Sequence, residues 1–221
     1  MDRVIVLTEE QQSRILHEAT DGKFSTSELE SIRTYAGKVR YCKEHLGQPI
    51  GNGSSRMVFQ IDDERCLKLA KNEKGTAQNR VESEGWKQRY DIFPRIFSAD
   101  YDNDIWIECE YVLPAKRSDF KACLGVTFDE FVAFCDTTFA RFSRYGSGWW
   151  YIKMPDERYA ELTDRIEFFR ELEDYLCNTQ EENADIVAIR NWGLAKRDGG
   201  AMPVLLDHGL NEDVYNNYYR R

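Results

Sequence analysis

A glycine-rich segment of the chain has residue types that suit phosphate binding. Gly51 and Gly53 lack a Cβ, so the backbone there can turn tightly and approach phosphate oxygens closely. Ser54 and Ser55 add amide and hydroxyl donors, and Val58 is placed to pack on the face of an adenine base. A Gly-x-Gly pair also occurs in ordinary structural turns, so its meaning depends on the residues that follow.

A lysine follows in an apolar, strand-like run. Lys68 stands between Leu67 and Leu69 and points to the opposite side of a strand from both. Lysine is rarely buried without a partner. It is therefore either a solvent-facing residue or an inward phosphate-binding lysine held by a glutamate of the next helix. Glu82 and Glu84 are the two candidates, and they cannot share one helix face because they are two positions apart.

Two oxygen-bearing side chains far downstream are candidate metal ligands. Asp207 ends the apolar run 204–206, and a carboxylate at the end of a buried strand is costly unless it meets a cation or donors. Asn191 precedes another strand-like segment. Together with nucleotide phosphates, these two side chains suit Mg²⁺. A turn aspartate and a capping asparagine are the structural alternative.

Hydrophobic periodicity and turn residues predict the elements that position these side chains. Residues 1–46 are predicted to be helical, with the second helix running from residue 25 to a stop at Gly47. Further helices are predicted at 74–90, 127–142 and 156–177. Strands are predicted at 56–61, 65–70, 95–99, 105–113, 186–189, 192–195 and 202–206.

This order of elements predicts an α+β fold in three parts. Residues 1–46 form a helical extension, residues 47–113 a sheet-rich lobe, and residues 114–221 a mostly helical lobe that ends in short strands. The first two strands form an antiparallel hairpin around an acidic turn. The phosphate-binding residues then belong to the sheet lobe, and the metal-ligand candidates to the helical lobe.

Composition excludes several classes of protein. A net charge of -9 argues against a general nucleic-acid binder, which needs a basic face. The six cysteines form no Cys-x-x-Cys pair, and the three histidines are scattered, so neither a disulfide framework nor a zinc site is predicted. No apolar run approaches the roughly 20 residues of a membrane span, and the N-terminal run is too short for a signal peptide. We expect a cytoplasmic protein without nucleic-acid or membrane partners.

With these motifs in this order, the chain over about residues 47–210 resembles the protein-kinase-like superfamily, which includes aminoglycoside-type phosphotransferases. More narrowly, the Gly-x-Gly-Ser-Ser-Arg loop and the Asn-Trp-Gly to Asp-x-Gly ending look like compact kinase-like proteins of bacteriophages. The resemblance implies a small antiparallel sheet lobe and a reduced helical lobe, with ATP and Mg²⁺ between them. It implies that Lys68 orients phosphates and that Asn191 and Asp207 hold the metal.

The resemblance also assigns roles to residues that look ordinary in the sequence. It favours Glu84 over Glu82 as the partner of the strand lysine. It makes the segment around Glu110 and Val112 the hinge whose backbone binds the adenine edge. It gives Asp185 the task of orienting an acceptor hydroxyl.

The chain departs from the kinase pattern in three places. The catalytic aspartate of a kinase stands five residues before the metal-binding asparagine. Ile186 occupies that position relative to Asn191, and Asp185 lies one place further away. His208 replaces the phenylalanine of the Asp-Phe-Gly motif. Only twelve residues follow Gly209, so the part of the large lobe that binds peptides is expected to be missing.

Three functions therefore remain open. The first is an ATP- and Mg²⁺-dependent phosphoryl or nucleotidyl transferase. The second is a pseudokinase-like module that binds a host or other partner protein without catalysis, which the displaced Asp185 and the tail residues Tyr215, Tyr218 and Tyr219 favour. The third is a structural or inhibitory phage protein that binds no nucleotide.

Overall fold

The computed structural model describes residues 23–142, 153–178, 183–209 and 212–218. Within these ranges the chain has an α+β architecture with two antiparallel sheets, as the order of predicted elements suggested. The predicted helical part of residues 1–22 lies outside the described residues.

The elements are numbered here in chain order. The α-helices are α1 (Thr26–Ser31), α2 (Tyr35–Leu46), α3 (Glu73–Glu82), α4 (Arg117–Leu124), α5 (Phe128–Phe142), α6 (Asp156–Arg165), α7 (Glu167–Asn178), α8 (Asn183–Ile186) and α9 (Glu212–Tyr218). The strands are β1 (Gly51–Asn52), β2 (Arg56–Gln60), β3 (Arg65–Ala70), β4 (Ile96–Ala99), β5 (Trp106–Glu110), β6 (Leu113–Pro114), β7 (Trp192–Arg197) and β8 (Gly200–Leu205). Short 3₁₀ turns cover Gly85–Arg89 and Ile189–Asn191.

The larger sheet has five antiparallel strands in the order β1-β2-β3-β5-β4. Its register pairs Lys68 with Val58 on one side and with Ile107 on the other. Because side chains alternate along a strand, the register sorts these three strands into two faces. The back face carries Met57, Phe59, Leu67, Leu69 and Trp106. The front face carries Arg56, Val58, Cys66, Lys68, Ile107 and Cys109.

Helices α1 and α2 cover the back face. Leu29, Tyr41 and Cys42 join the buried back-face side chains in one apolar cluster. The described part of the helical extension therefore lies on the side of the sheet away from the front face.

The predicted helix from residue 25 to 46 is interrupted. Helix α1 ends at Ser31, and Thr34 begins α2 by accepting a hydrogen bond from the Gly37 amide through its side chain. Gly47, with a φ of 85°, ends α2 as predicted. The break arises because a threonine can cap a new helix within a pattern that otherwise continues.

The second sheet and the remaining helices enclose a larger core. Strands β6, β7 and β8 form an antiparallel sheet in that order. The core beside it is rich in aromatic side chains, among them Phe120, Phe131, Phe168 and Trp192. The boundary predicted between residues 113 and 114 falls within β6, so the lobes meet inside a strand.

Two predicted helices are shorter than expected. The helix predicted at 74–90 ends at Glu82 and is followed by a 3₁₀ turn that begins at Gly85, a poor helix former. The helix predicted at 156–177 is divided at Ile166, whose φ of -122° and ψ of 111° are extended. This break lets α6 and α7 direct Leu162 and Leu172 into the same core.

The strand predicted at 186–189 is wrong. Helix α8 and a 3₁₀ turn occupy this stretch, because side chains just downstream bind the helix carbonyls. The Asn191 amide donates to the Asp185 carbonyl at 2.9 Å, and the Trp192 indole donates to the Ile186 carbonyl at 2.7 Å. Helices α4 and α9 were not predicted. The tail residue Tyr219 lies outside the described residues.

None of the helices in the described ranges combines the length and the apolar character needed to cross a bilayer.

Candidate functional site

A cleft of about 310 Å³ lies between the front face of the five-stranded sheet and the segment after β8. The glycine-rich turn between β1 and β2 and the β5–β6 connection border it, and Leu206 and Asp207 close it from the other side. The predicted residues that line it are Gly51, Gly53, Ser55, Val58, Lys68, Glu110, Val112 and Asp207. Four other predicted residues do not line it, namely Ser54, Glu84, Asp185 and Asn191.

The glycine-rich turn, which borders the cleft, is also fixed to helix α3. The Gly53 amide donates to the Arg56 carbonyl at 3.0 Å, which closes the turn. The Ser55 hydroxyl donates to Gln78 Oε1 on α3. A Cβ on Gly75 of the same helix would lie 2.3 Å from the Ser55 carbonyl oxygen. The turn therefore packs directly on α3, and the Ser55 hydroxyl is already hydrogen-bonded to that helix.

Lys68 is buried and held by a carboxylate, but the carboxylate is Glu82 and not Glu84. Lys68 Nζ lies 2.6 Å from Glu82 Oε2 and donates to the Leu206 carbonyl at 2.7 Å. Glu84 lies beyond the end of α3 and accepts from the Trp86 indole, so its assignment as the lysine partner is wrong. Burial opposes charge on Lys68, but the surrounding negative charges, Glu82 foremost, together raise the lysine pKa.

Arg56 completes a charged cluster that the sequence did not predict. Its Nη1 lies 2.7 Å from Glu82 Oε1, and its Nη2 lies 2.7 Å from Asp207 Oδ1. Its side chain is only 8% exposed. Burial alone would raise the pKa of Glu82, but Arg56 and Lys68 lower it well below the usual range.

A signal for Arg56 is present in the sequence. The protein-kinase glycine loop reads G-x-G-x-x-G-x-V. This chain matches it at Gly51, Gly53 and Val58, and Arg56 stands where the third glycine belongs. An arginine where the pattern has glycine indicates that a side chain, and not bare backbone, enters the site.

Asp207, Asp185 and Asn191 lie near one another below the cleft. The Leu206 amide donates to the Asn191 carbonyl at 2.7 Å, which ties the segment before Asp207 to the 3₁₀ turn. Asn191 in turn holds Asp185 through the backbone carbonyl of the aspartate. Burial, and then the charge of Asp207, raises the pKa of Asp185 above its ordinary value.

The connection between β5 and β6 presents backbone to the cleft. The Glu110 amide donates to the Arg95 carbonyl at 2.8 Å, and the Tyr111 amide donates to the Glu64 carbonyl at 2.7 Å. The Glu110 side chain is bound by Arg197 at 2.9 Å and so does not enter the cleft. The Val112 amide has no intramolecular acceptor in the described part of the chain. Val112 is thus the residue of this connection that can donate to a ligand.

His208 and Gly209 anchor the segment that carries Asp207. The His208 ring is buried and stacks on Phe93 with ring centroids 4.2 Å apart. Lys87 Nζ donates to the His208 carbonyl at 2.8 Å. A Cβ on Gly209 would lie 2.7 Å from the Gln78 carbonyl oxygen, so this segment also packs directly on α3. His208 thus fixes the chain next to Asp207 by packing on an aromatic ring.

The arrangement does not fit a preformed magnesium site. Arg56 already holds one oxygen of Asp207, and Asn191 does not line the cleft. Among the described residues, no three His, Cys, Asp or Glu side chains are grouped so that they could hold a metal ion. Metal binding by Asn191 and Asp207 stays a prediction.

No protein-family model matches this chain, and a search of curated proteins finds no match. Its function is therefore inferred from the cleft alone.

Proposed function

We propose that this chain is a nucleotide-binding protein of kinase-like architecture that holds ATP in the cleft between the front face and Asp207. The observation that carries the proposal is the convergence of the glycine-rich turn, the buried Lys68–Glu82 pair and Asp207 on one cleft. The volume of about 310 Å³ is at the lower end of the roughly 300–1,000 Å³ of small-molecule sites.

The lining of the cleft offers groups that suit both parts of a nucleotide. Val58 and Leu206 supply apolar surfaces for a base, and the Val112 amide supplies a donor for its edge. Lys68, which the register pairs with Val58, provides a positive charge whose position Glu82 fixes. A ligand that joins a flat heterocycle to phosphates satisfies both sets of groups.

If the protein is an enzyme, it transfers a phosphoryl or nucleotidyl group, because this chemistry depends mainly on positioning and charge neutralisation. Asp185 is then the group that orients an acceptor hydroxyl and receives its proton. Its raised pKa and its attachment to Asn191 support that role.

A second candidate is a pseudokinase-like module that binds nucleotide, contacts a partner protein and does not catalyse transfer. Two observations favour it. The Arg56 guanidinium forms an ion pair with one carboxylate oxygen of Asp207. Asp185 does not line the cleft. A bacteriophage origin and a cytoplasmic location belong to this proposal as predictions.

A cleft-filling substitution with a matched control tests nucleotide binding. Val58→Trp places an indole in the cleft, whereas Gln60→Trp places it on the same face of β2 but outside the cleft lining. ATP at about 100 times its dissociation constant should stabilise the wild type and Gln60→Trp by roughly 2.7 kcal/mol. Val58→Trp should show no stabilisation.

Equal stabilisation of all three proteins, or of none, would contradict nucleotide binding in this cleft. ATP turnover measured on the same samples separates the two candidates. Turnover that is lost in Asp185→Asn supports the transferase, and binding without turnover supports the pseudokinase-like module.

A further inference from the structure

Arg56 binds a carboxylate oxygen of Asp207, the residue predicted to hold a metal ion. Arg56 lines the cleft, and its guanidinium spans two carboxylates, Glu82 on helix α3 and Asp207 after β8. These partners come from different parts of the chain, and Arg56 and Asp207 are 151 residues apart. The guanidinium therefore joins the sheet lobe to the segment that closes the cleft.

The charges of the cluster balance because Arg56 is present. Arg56 and Lys68 are positive, and Glu82 and Asp207 are negative, so the four side chains are together neutral. Without Arg56 the same cluster would have an excess negative charge and would repel phosphates unless a cation bound first. Lys71 adds a further positive charge beside the glycine-rich turn, where it donates to the Gly53 carbonyl and the Asn52 side chain.

Two other side chains near Arg56 add no charge to this balance. Burial lowers the pKa of His208 well below its ordinary value, so its ring is neutral. Asn79 contributes only its amide oxygen, 3.5 Å from Arg56 Nη1. The Cys109 thiol, on the same face of the sheet, is hydrogen-bonded to the Cys66 thiol.

We propose that Arg56 takes the place of a divalent cation in this cleft, so that ATP binds through its phosphates without metal. The inference rests on the proposed nucleotide site and adds to it the identity of the cation. Arginine suits the role because its charge is permanent and its planar fork can hold a carboxylate while other N–H groups face phosphate oxygens. Asp207 then positions Arg56 instead of binding metal.

Isothermal titration with ATP, once in EDTA and once in excess Mg²⁺, tests the proposal on four proteins. These are the wild type, Arg56→Lys, Asp207→Asn and the control Arg80→Lys, which alters an arginine–aspartate pair outside the cleft. The wild type and the control should bind ATP with dissociation constants that agree within about threefold in the two buffers. Arg56→Lys should lose about tenfold in EDTA, because lysine cannot span both carboxylates.

Asp207→Asn gives the sharpest result, because the Asp207 side chain is half-exposed and the substitution buries no new polar group. If Arg56 is the cation, this variant still binds ATP in EDTA to within about threefold of the wild type, because the asparagine amide oxygen can accept from Arg56 and keep it in place. If Asp207 is a metal ligand, the wild type binds only with Mg²⁺ and Asp207→Asn loses that binding, which overturns the inference but keeps the nucleotide site. Absence of ATP binding in both buffers overturns the proposed function itself.

Discussion

The two faces of the five-stranded sheet are built from the same strands but have opposite character. The back face is apolar except for Glu108, the cross-strand partner of Leu67. Leu67 and Leu69 are fully buried beneath α1 and α2. The front face carries Arg56 and Lys68, both buried, beside the cleft. On β3, Lys68 thus places a buried charge between two leucines that pack on the opposite face.

This difference indicates that the back face contributes to the stability of the sheet and that the front face serves another purpose. Burial of apolar side chains on the back face is favourable in itself. Burial of Arg56, Lys68 and Glu82 is costly, and even a well-paired buried ion cluster is often no more stable than a hydrophobic replacement. A fold that needed only stability would not require the front-face charges, which agrees with the ligand-binding role proposed for them.

The largest predicted effect comes from breaking the front-face cluster at Glu82. Glu82→Gln leaves Arg56 and Lys68 buried with an uncompensated positive charge, which should lower the free energy of unfolding by about 3–5 kcal/mol. Urea denaturation at pH 7 measures this. Glu84→Gln, two positions further on and outside the cluster, should change stability by no more than about 0.5 kcal/mol. Equal effects of the two substitutions would refute the assignment of Glu82.

A back-face substitution should affect stability but not binding. Leu67→Ala creates a cavity under α1 and α2 and should cost about 3 kcal/mol. Because the neighbouring Lys68 keeps its contacts, the dissociation constant for ATP should not change when measured on folded protein. A matching loss of ATP affinity would show that the two faces are not independent.

The contact between the glycine-rich turn and α3 predicts that a glycine-to-alanine substitution in the helix lowers stability, which is the opposite of the usual effect. Glycine to alanine within a helix normally stabilises, because glycine is the poorer helix former. Gly75→Ala should instead destabilise by about 1–3 kcal/mol, because its Cβ would collide with the Ser55 carbonyl. Gly85→Ala has no atom within 4 Å of the added methyl and serves as the control in thermal denaturation. A stabilised Gly75→Ala would mean that the turn does not rest on the helix.

The smallest predicted effect is a pH dependence from His208. Burial holds the pKa of His208 well below its ordinary 6.5, so the folded state binds fewer protons than the unfolded state. Stability from this group is therefore complete above pH 6.5 and declines as the pH falls below it. Between pH 7 and pH 6 the loss should be about 0.7 kcal/mol. His208→Phe should remove it, and an unchanged pH profile in that variant would contradict a buried neutral histidine.

The sequence predicted the strands of the front face because alternation around Lys68 is a local property. It also indicated that the glycine-rich turn, Lys68 and Asp207 belong to one site, and the structure places them around one cleft. Their roles with nucleotide and metal stay predictions. The choice of Glu84 was wrong because helix α3 ends at Glu82. Ser83 caps the helix and Gly85 follows it, and hydrophobic periodicity does not reveal where such a helix ends.

Other features depend on contacts between distant residues and are not visible in a local pattern. The ion pair of Arg56 with Asp207 joins residues far apart in the chain. The strand predicted at 186–189 failed because Asn191 and Trp192 bind backward to carbonyls of α8. The strand propensity of residues 186–189 depends on those residues alone and does not reflect the hydrogen bonds made by these downstream side chains.

Hydrogen–deuterium exchange with and without ATP tests the central claim most directly, because it reports on both faces of the sheet in one experiment. We predict that ATP slows exchange of backbone amides at residues 50–58 and 106–112, which border the cleft, and leaves residues 23–46 on the back face unchanged. Exchange that ATP leaves unaltered throughout, or that it slows at residues 23–46 instead, would contradict a nucleotide site on the front face.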